Sequence, residues 1–387
     1  RTEMLRTAES DWVMFARARG LSEGRISLHM MLNSLRGTVT ALGMSIPKLV
    51  AGTFVIENIF AWPGIGRLCV SAIFNRDLPV IIAYVLVMAV FFILFVAAIG
   101  MALGLTPLVG ELYAQKDRIR SAALLQNGIL FYTLLGLIMA GVQYAVIPLM
   151  YHLKQPVEVV EMAIPYYRML VFSMPFMMLF FSFKQFLEGV GNTKVEMVVT
   201  ILANLANIGF NSVFIYGRFG LPEMGAEGAG LGTLLSRVLA AALIIGYFCR
   251  HRGYRRYLDG FSHRVLSAEV VRRLVHMGLP IAMQMFLESS AFVGTGIMMG
   301  WFGKIAMSAN QIAITLGNCA FMIVMSIGAA TTIRVSHCYG ARNVGELTLA
   351  AKASYHLVLA WNALAALVFI SLRHLIPTFF TTNAEVI

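Results

Sequence analysis

Residues 103–118 read Leu-Gly-Leu-Thr-Pro-Leu-Val-Gly-Glu-Leu-Tyr-Ala-Gln-Lys-Asp-Arg. They end a long apolar run with a short polar turn, and the same grammar returns in Gly328–Asn343 at the end of another apolar run. Thr106 pairs with Thr332, Val109 with Val335, Tyr113 with Tyr339, Lys116 with Arg342 and Asp117 with Asn343, always at one separation of 226 residues (109 to 335). That period is too long for a solenoid, whose units run to tens of residues, and suits a membrane protein built from two bundles of about six helices each. The residues before about 90 do not fit the echo.

Composition points the same way. The chain of 387 residues is 59% hydrophobic and 13% charged, with a mean hydropathy of +0.77. Soluble domains carry about a quarter charged residues. Apolar runs long enough to cross a bilayer recur throughout, and the alternating short segments of a transmembrane barrel are missing. The expected fold class is therefore all-α, a polytopic membrane protein whose partner is the lipid bilayer. The net charge of +11 does not call for nucleic acid, because cytoplasmic loops of membrane proteins collect Lys and Arg. Cys69, Cys249, Cys319 and Cys338 show no CxxC spacing and are expected as reduced thiols. The chain opens on Arg1 without an initiator Met and ends without a polar tail, so both ends read as cut.

Nine spans are expected, at about 38–60, 80–103, 122–147, 166–187, 195–216, 228–248, 279–301, 305–333 and 349–372. Residues 1–36 are basic and polar and read as helix, turn, helix. Loop charges set the topology. Residues 250–276 hold seven Arg against Asp259 and Glu269, while 148–165 and 217–227 are poor in positive charge. Positive-inside places 1–36, 113–121, 188–195, 250–277 and 335–347 in the cytoplasm, and the alternation closes with no span left over. Residues 265–277 fit either an interfacial helix on the inner leaflet or a cytoplasmic extension of the next span.

Gln185-Phe-Leu-Glu-Gly-Val-Gly-Asn-Thr-Lys194, Asn207-Ile-Gly-Phe-Asn211, Phe214-Ile-Tyr-Gly217, Gly278-Leu-Pro280 and Ala309-Asn-Gln311 resemble the multidrug and toxic compound extrusion (MATE) transporters over roughly residues 91–387. That resemblance implies two six-helix lobes, alternating access, and export of drugs or organic cations driven by Na+ or H+. Residues 1–90 resemble a different family. Ala16-Arg-Ala-Arg-Gly-Leu-Ser22, Gly52-Thr-Phe-Val-Ile-Glu57, Phe60-Ala-Trp-Pro-Gly-Ile-Gly-Arg67 and Asn75-Arg-Asp-Leu-Pro79 are similar to the C-terminal third of ABC-importer permeases for dipeptides or nickel. There, the segment matching Ala16, Arg19 and Gly20 docks on an ATPase subunit. The two resemblances meet between about Ala83 and Ala97, inside one apolar helix. The expected organisation is 1–90 permease-like, 91–250 a MATE-like N-lobe without its first helix, 251–277 a cytoplasmic linker, and 278–387 a shortened C-lobe. The expected function is cation-coupled efflux across the inner membrane, impaired by truncation and fusion. The alternatives are an importer permease subunit with an ATPase partner, or a chimeric fragment without transport.

Glu288, ten residues past Gly278, sits near mid-span, where a carboxylate is costly and is protonated, paired or ion-bound. Gln284 lies one turn earlier on the same face. The pair either binds the coupling ion or packs helices together, and the family resemblance implies the former, since sodium-type members carry a Glu in the seventh helix. The position equivalent to Glu288 in the first half is Trp62, where MATE proteins commonly have an acidic residue. Asn207 and Asn211, with Asn204 nearby, share a helix face, and Gln311, Thr315 and Asn318 form a second polar line. Each set either lines a cavity or bonds helix to helix. Gly189–Lys194 lacks the GK[ST] ending of a phosphate loop and reads as a tight turn. No nucleophile–base set and no metal-ligand spacing appears, so neither enzyme activity nor a cofactor beyond the coupling ion is expected.

Overall fold

The computed structural model describes residues 91, 94–150, 157–220, 222–259, 261, 267–301 and 304–372. The described residues are helical, without strands. A helical stretch over 94–103 passes through a turn at Gly104 into α1 (Leu105–Ala114). It is followed by α2 (Arg118–Met150), α3 (Val157–Val190), α4 (Thr193–Ile215), a 3-10 turn at Arg218–Gly220, α5 (Gly225–Arg250), the short α6 (Arg252–Asp259), α7 (Ala268–Trp301), α8 (Lys304–Gly340) and α9 (Val344–Ser371). The permease-like segment, the first expected span at 38–60, and the docking residues Ala16, Arg19 and Gly20 lie outside the described residues.

Among the described residues, seven helices are long and apolar enough to cross a membrane: Leu94–Ala114, Arg118–Pro148, Ala163–Val190, Thr193–Ile215, Gly225–Arg250, Leu316–Gly340 and Val344–Ser371. The helix over 279–301 is present within α7. Several helices outrun their expected spans. Thus α3 begins at Val157 rather than 166, and α8 runs on to Gly340 rather than 333. Hydropathy marks the hydrocarbon core, whereas the backbone ladder continues into the headgroups and the water beyond. At 1.5 Å per residue, a helix like α7 is about 50 Å long against a core of about 30 Å. The same helix decides the reading of 265–277. Residues 268–277 are continuous with the rest of α7, not a separate interfacial helix.

The chain divides into two compact units, one holding the described residues up to Thr295 and the other those from Gly296. In the first, α3 is the hub and packs against α1, α2, α4 and α5. Its buried face carries Val160, Tyr167, Val171, Met174, Met178, Phe186 and Leu187. Small residues let backbones meet elsewhere in this unit. A Cβ built on Gly100 would lie 2.6 Å from Ala282 Cα, and one on Gly104 would lie 2.7 Å from the Gly278 nitrogen. Gly100-x-x-x-Gly104 thus seats α7 against the helix leading into α1, as small-residue pairs do in membrane bundles. The second unit pairs α8 with α9, and Trp361 Nε1 donates to the Ala320 carbonyl at 3.1 Å.

The 226-residue echo is reproduced in three dimensions. Lys116 and Arg342, a repeat pair, are the positive-φ non-glycine residues among those described, at 59° and 55°. Around each, the same Schellman turn closes a helix. Lys116 N–H donates to Tyr113 O and Asp117 N–H to Leu112 O, while Arg342 N–H donates to Tyr339 O and Asn343 N–H to Cys338 O. The next residue then caps the following helix. Asp117 Oδ1 accepts from Arg120 N–H at 3.0 Å, and Asn343 Oδ1 from Glu346 N–H at 3.1 Å.

Candidate functional site

Glu288 is half-buried on α7 and Gln284, one turn earlier, is exposed. Asn207 and Asn211 face α5. Asn207 Nδ2 donates to Ser236 Oγ at 3.2 Å, and Asn211 Nδ2 donates to Asn207 Oδ1 at 3.2 Å. Asn211 is buried, with its Oδ1 unpaired and pressed against Gly232. The first of these bonds joins α4 to α5, and the second runs along α4 itself. Asn204 is half-buried one turn before Asn207. Gln311 and Thr315 fall in α8, with their side chains outside the described part, and Asn318 is exposed on the same helix. Glu288 and the asparagine ladder lie on different helices.

Two buried charged groups went unmarked in the sequence. The first is Lys184. Its ammonium donates to Glu188 Oε1 at 2.6 Å, to Glu196 Oε1 at 2.7 Å and to Gln185 Oε1 at 3.2 Å. The Lys184 side chain is 9% exposed and those of Glu188 and Glu196 are 6% each. Thr106 Oγ1 donates to Glu188 Oε2 at 3.4 Å and so adds α1 to the group. The cluster sits at the turn between α3 and α4. That turn is built as Gly189–Lys194 suggested: Gly191 takes φ 87°, Gly191 N–H donates to Glu188 O, and Asn192 N–H donates to Leu187 O. The legible signal was Lys184-x-x-x-Glu188, an i, i+4 pair ending an apolar run, with Glu196 eight residues on across a tight turn.

The second is Arg237 on α5. Its guanidinium donates to Ser173 Oγ at 2.5 Å and lies over the rings of Phe91 and Phe95 at 5.7 and 5.5 Å. An arginine inside a span is costly unless its charge is met by such acceptors and ring faces. A lone Arg within residues 228–248 was the signal. Cys249 and Cys338 carry free thiols.

The chain matches the MatE family over residues 80–213 and 280–387. It also matches a second family, described as a binding-protein-dependent transport system inner membrane component, over residues 1–106. The two matches overlap at 80–106, which contains the junction read from the sequence at 83–97. Among curated relatives, multidrug resistance protein NorM of Vibrio parahaemolyticus is 29% identical over 290 residues, covering 75% of this chain and 63% of the relative. NorM of Photobacterium profundum is 28% identical with the same coverage. The chain therefore spans less than two thirds of the curated relatives it matches. Solved structures share the fold. A MATE in its straight conformation has a TM-score of 0.74 at 20% identity, covering 90% of this chain and 74% of the other. The eukaryotic MATE transporter AtDTX14 has a TM-score of 0.73 at 15% identity, covering 91% and 76%.

Proposed function

The chain belongs to the MatE family, and from that premise we propose that it is a multi-pass inner-membrane antiporter exporting drugs or organic cations in exchange for Na+ or H+. The observation that carries the reading is Glu288, a half-buried carboxylate well inside α7. An ionisable group at that depth is functional by default, because its desolvation must be met by a proton, a metal cation or a partner. Glu288 binds the coupling ion, and Gln284 assists from one turn away on the same face. The polar faces of Asn204, Asn207 and Asn211 on α4, and of Gln311, Thr315 and Asn318 on α8, line the substrate path. The NorM relatives are multidrug resistance proteins by name, which supports drugs as the substrate class.

A second reading rests on the match over residues 1–106. On it, the basic N-terminal segment docks an ATPase subunit through Ala16, Arg19 and Gly20, and ATP drives import. One experiment separates the two. The full chain is reconstituted in liposomes, and movement of a cationic dye is followed under an imposed Na+ gradient, an imposed pH gradient, or ATP. The antiporter reading expects movement with one ion gradient and none with ATP, and loss of that movement in Glu288→Gln. Gradient-driven extrusion that survives unchanged in Glu288→Gln removes the coupling role.

A further inference from the structure

The cytoplasmic end of the first unit holds a cavity of about 270 Å³ between the α1–α2 turn and α6. Its walls include Tyr113 and Arg118 from the turn and His251, Tyr254, Arg256 and Tyr257 from the start and body of α6. α6 is fixed there by its aromatic face. Tyr257 meets Phe186 edge-on at 5.1 Å, Tyr254 lies 5.2 Å from Phe248, and Asn192 Nδ2 donates to Tyr254 Oη at 2.7 Å.

The polar groups on these walls are donors. Arg118 and Arg256 pair with no carboxylate among the described residues. The nearest acids from the turn are engaged elsewhere: Asp117 binds Arg120 at 3.3 Å, and Glu111 accepts from Gln115. His251 Nδ1 accepts the Gly253 N–H at 3.2 Å. The neutral ring therefore carries its proton on Nε2, as a donor. The oxygen of Tyr254 already accepts from Asn192, which leaves its O–H to donate. Burial holds the phenols of Tyr254 and Tyr257 above the ordinary tyrosine range, so both keep their protons. The lining named here has no carboxylate, and among the described residues its two arginines meet no anion.

We propose that this pocket binds one phosphate anion, supplied by the headgroup of an inner-leaflet anionic phospholipid. The chemistry is that of guanidinium forks and phenol hydroxyls around phosphate oxygens. Its level fits as well. The positive-inside assignment puts the turn and α6 on the cytoplasmic side, where basic pockets between spanning helices take lipid headgroups. A free phosphate has the same oxygens, so the test must tell the two apart. A zwitterionic choline headgroup is disfavoured, because its ammonium would face the Arg250, Arg252, Arg255 and Arg256 run.

The test uses the full chain, delipidated in detergent, with its unfolding temperature followed as ligand is added. Phosphatidylglycerol is expected to raise it in a saturable way and phosphatidylcholine is not. Arg118→Gln with Arg256→Gln should weaken the apparent affinity by about thirtyfold, the effect of removing two near-surface cations. Arg118→Lys with Arg256→Lys should keep the greater part of it. Inorganic phosphate that protects as well as the lipid would keep the anion site and reassign its source to free phosphate. Absence of protection by both anions, or protection undiminished in the double Gln variant, overturns the site. Should the double variant not fold, Arg256→Gln alone, on exposed α6, carries the same comparison. The readout is binding, so it stands or falls separately from the transport assay.

Discussion

The two halves of this chain share one helix–turn–helix device and differ in almost everything packed around it. At Lys116 and at Arg342 the backbone makes the same left-handed step, the same pair of closing hydrogen bonds and the same Asx cap. Yet 67% of the apolar window of the α3 span is buried, against 6% for the α8 and α9 spans. In α9 the buried residue is Ala350. Tyr113 helps to wall a cavity, while its counterpart Tyr339 is 63% exposed. Turn geometry is set within about ten residues and recurs wherever the local pattern does. Burial depends on neighbours supplied from elsewhere, and α3 touches four other helices. Three sets of substitutions press on this contrast.

The largest effect is expected at Lys184. Removing the ammonium leaves Glu188 and Glu196 buried at the α3–α4 turn without their shared counter-charge. Breaking a buried ion pair from one side costs about 3–5 kcal/mol. Lys184→Met should therefore lower the stability of the full chain in detergent by that order, read from the denaturant midpoint. A loss below about 1 kcal/mol, the range of a surface pair, would mean that water reaches the cluster.

Glycines give an intermediate test, with opposite signs in the two units. A Cβ on Gly189 would come within 2.6 Å of Val109 Cβ and 2.8 Å of the Thr106 carbonyl. Gly189→Val must force α3 from α1, at about 1–3 kcal/mol or more. Gly328, inside α8, meets no atom within 4 Å among the described residues. Gly328→Ala should be neutral or gain up to about 1 kcal/mol, since Gly is the poorer helix former. It would also restore the residue found at the repeat-equivalent Ala102. Thermal unfolding of the two variants side by side would show the contrast. Equal destabilisation would mean that α8 is packed as tightly as α3.

What was legible in the sequence follows the same division. The apolar spans among the described residues and the 226-residue echo could be read because hydropathy and turn chemistry are local or periodic signals. The α3–α4 turn was read correctly from Gly and Asn alone. The Lys184–Glu188–Glu196 cluster and Arg237 were not read. A charge in an apolar run shows its cost in sequence, but not the partner that offsets it, and those partners sit across a turn or on another helix. The asparagine ladder was legible as a face of α4, whereas its partner Ser236 on α5 was not. The helices α3 and α7 run past the apolar spans for a related reason, because polar residues such as Glu158, Glu161 and Arg272 end a hydrophobic run without ending a helix.

The smallest effect is the most direct test of the shared device. A β-carbon in the left-handed region costs about 1–2 kcal/mol relative to the right-handed one, and glycine escapes that cost. The turn between α3 and α4, closed by the same pair of hydrogen bonds, already uses glycine at this position, Gly191 at φ 87°. Lys116 and Arg342 keep a cation there instead, which strengthens the positive-inside signal at both turns. Lys116→Gly and Arg342→Gly should each therefore stabilise the chain, by about 0.5 kcal/mol once the greater freedom of glycine in the unfolded state is set against the relieved strain. The gain should be the same in both units, because the closing hydrogen bonds are the same and neither side chain is needed for them. The denaturant midpoints of the two variants, measured on one preparation, decide the matter. A gain at Lys116 with a loss at Arg342 would mean that the turns share a sequence pattern and a shape but not an energetic role. In that case the echo would record only their common descent.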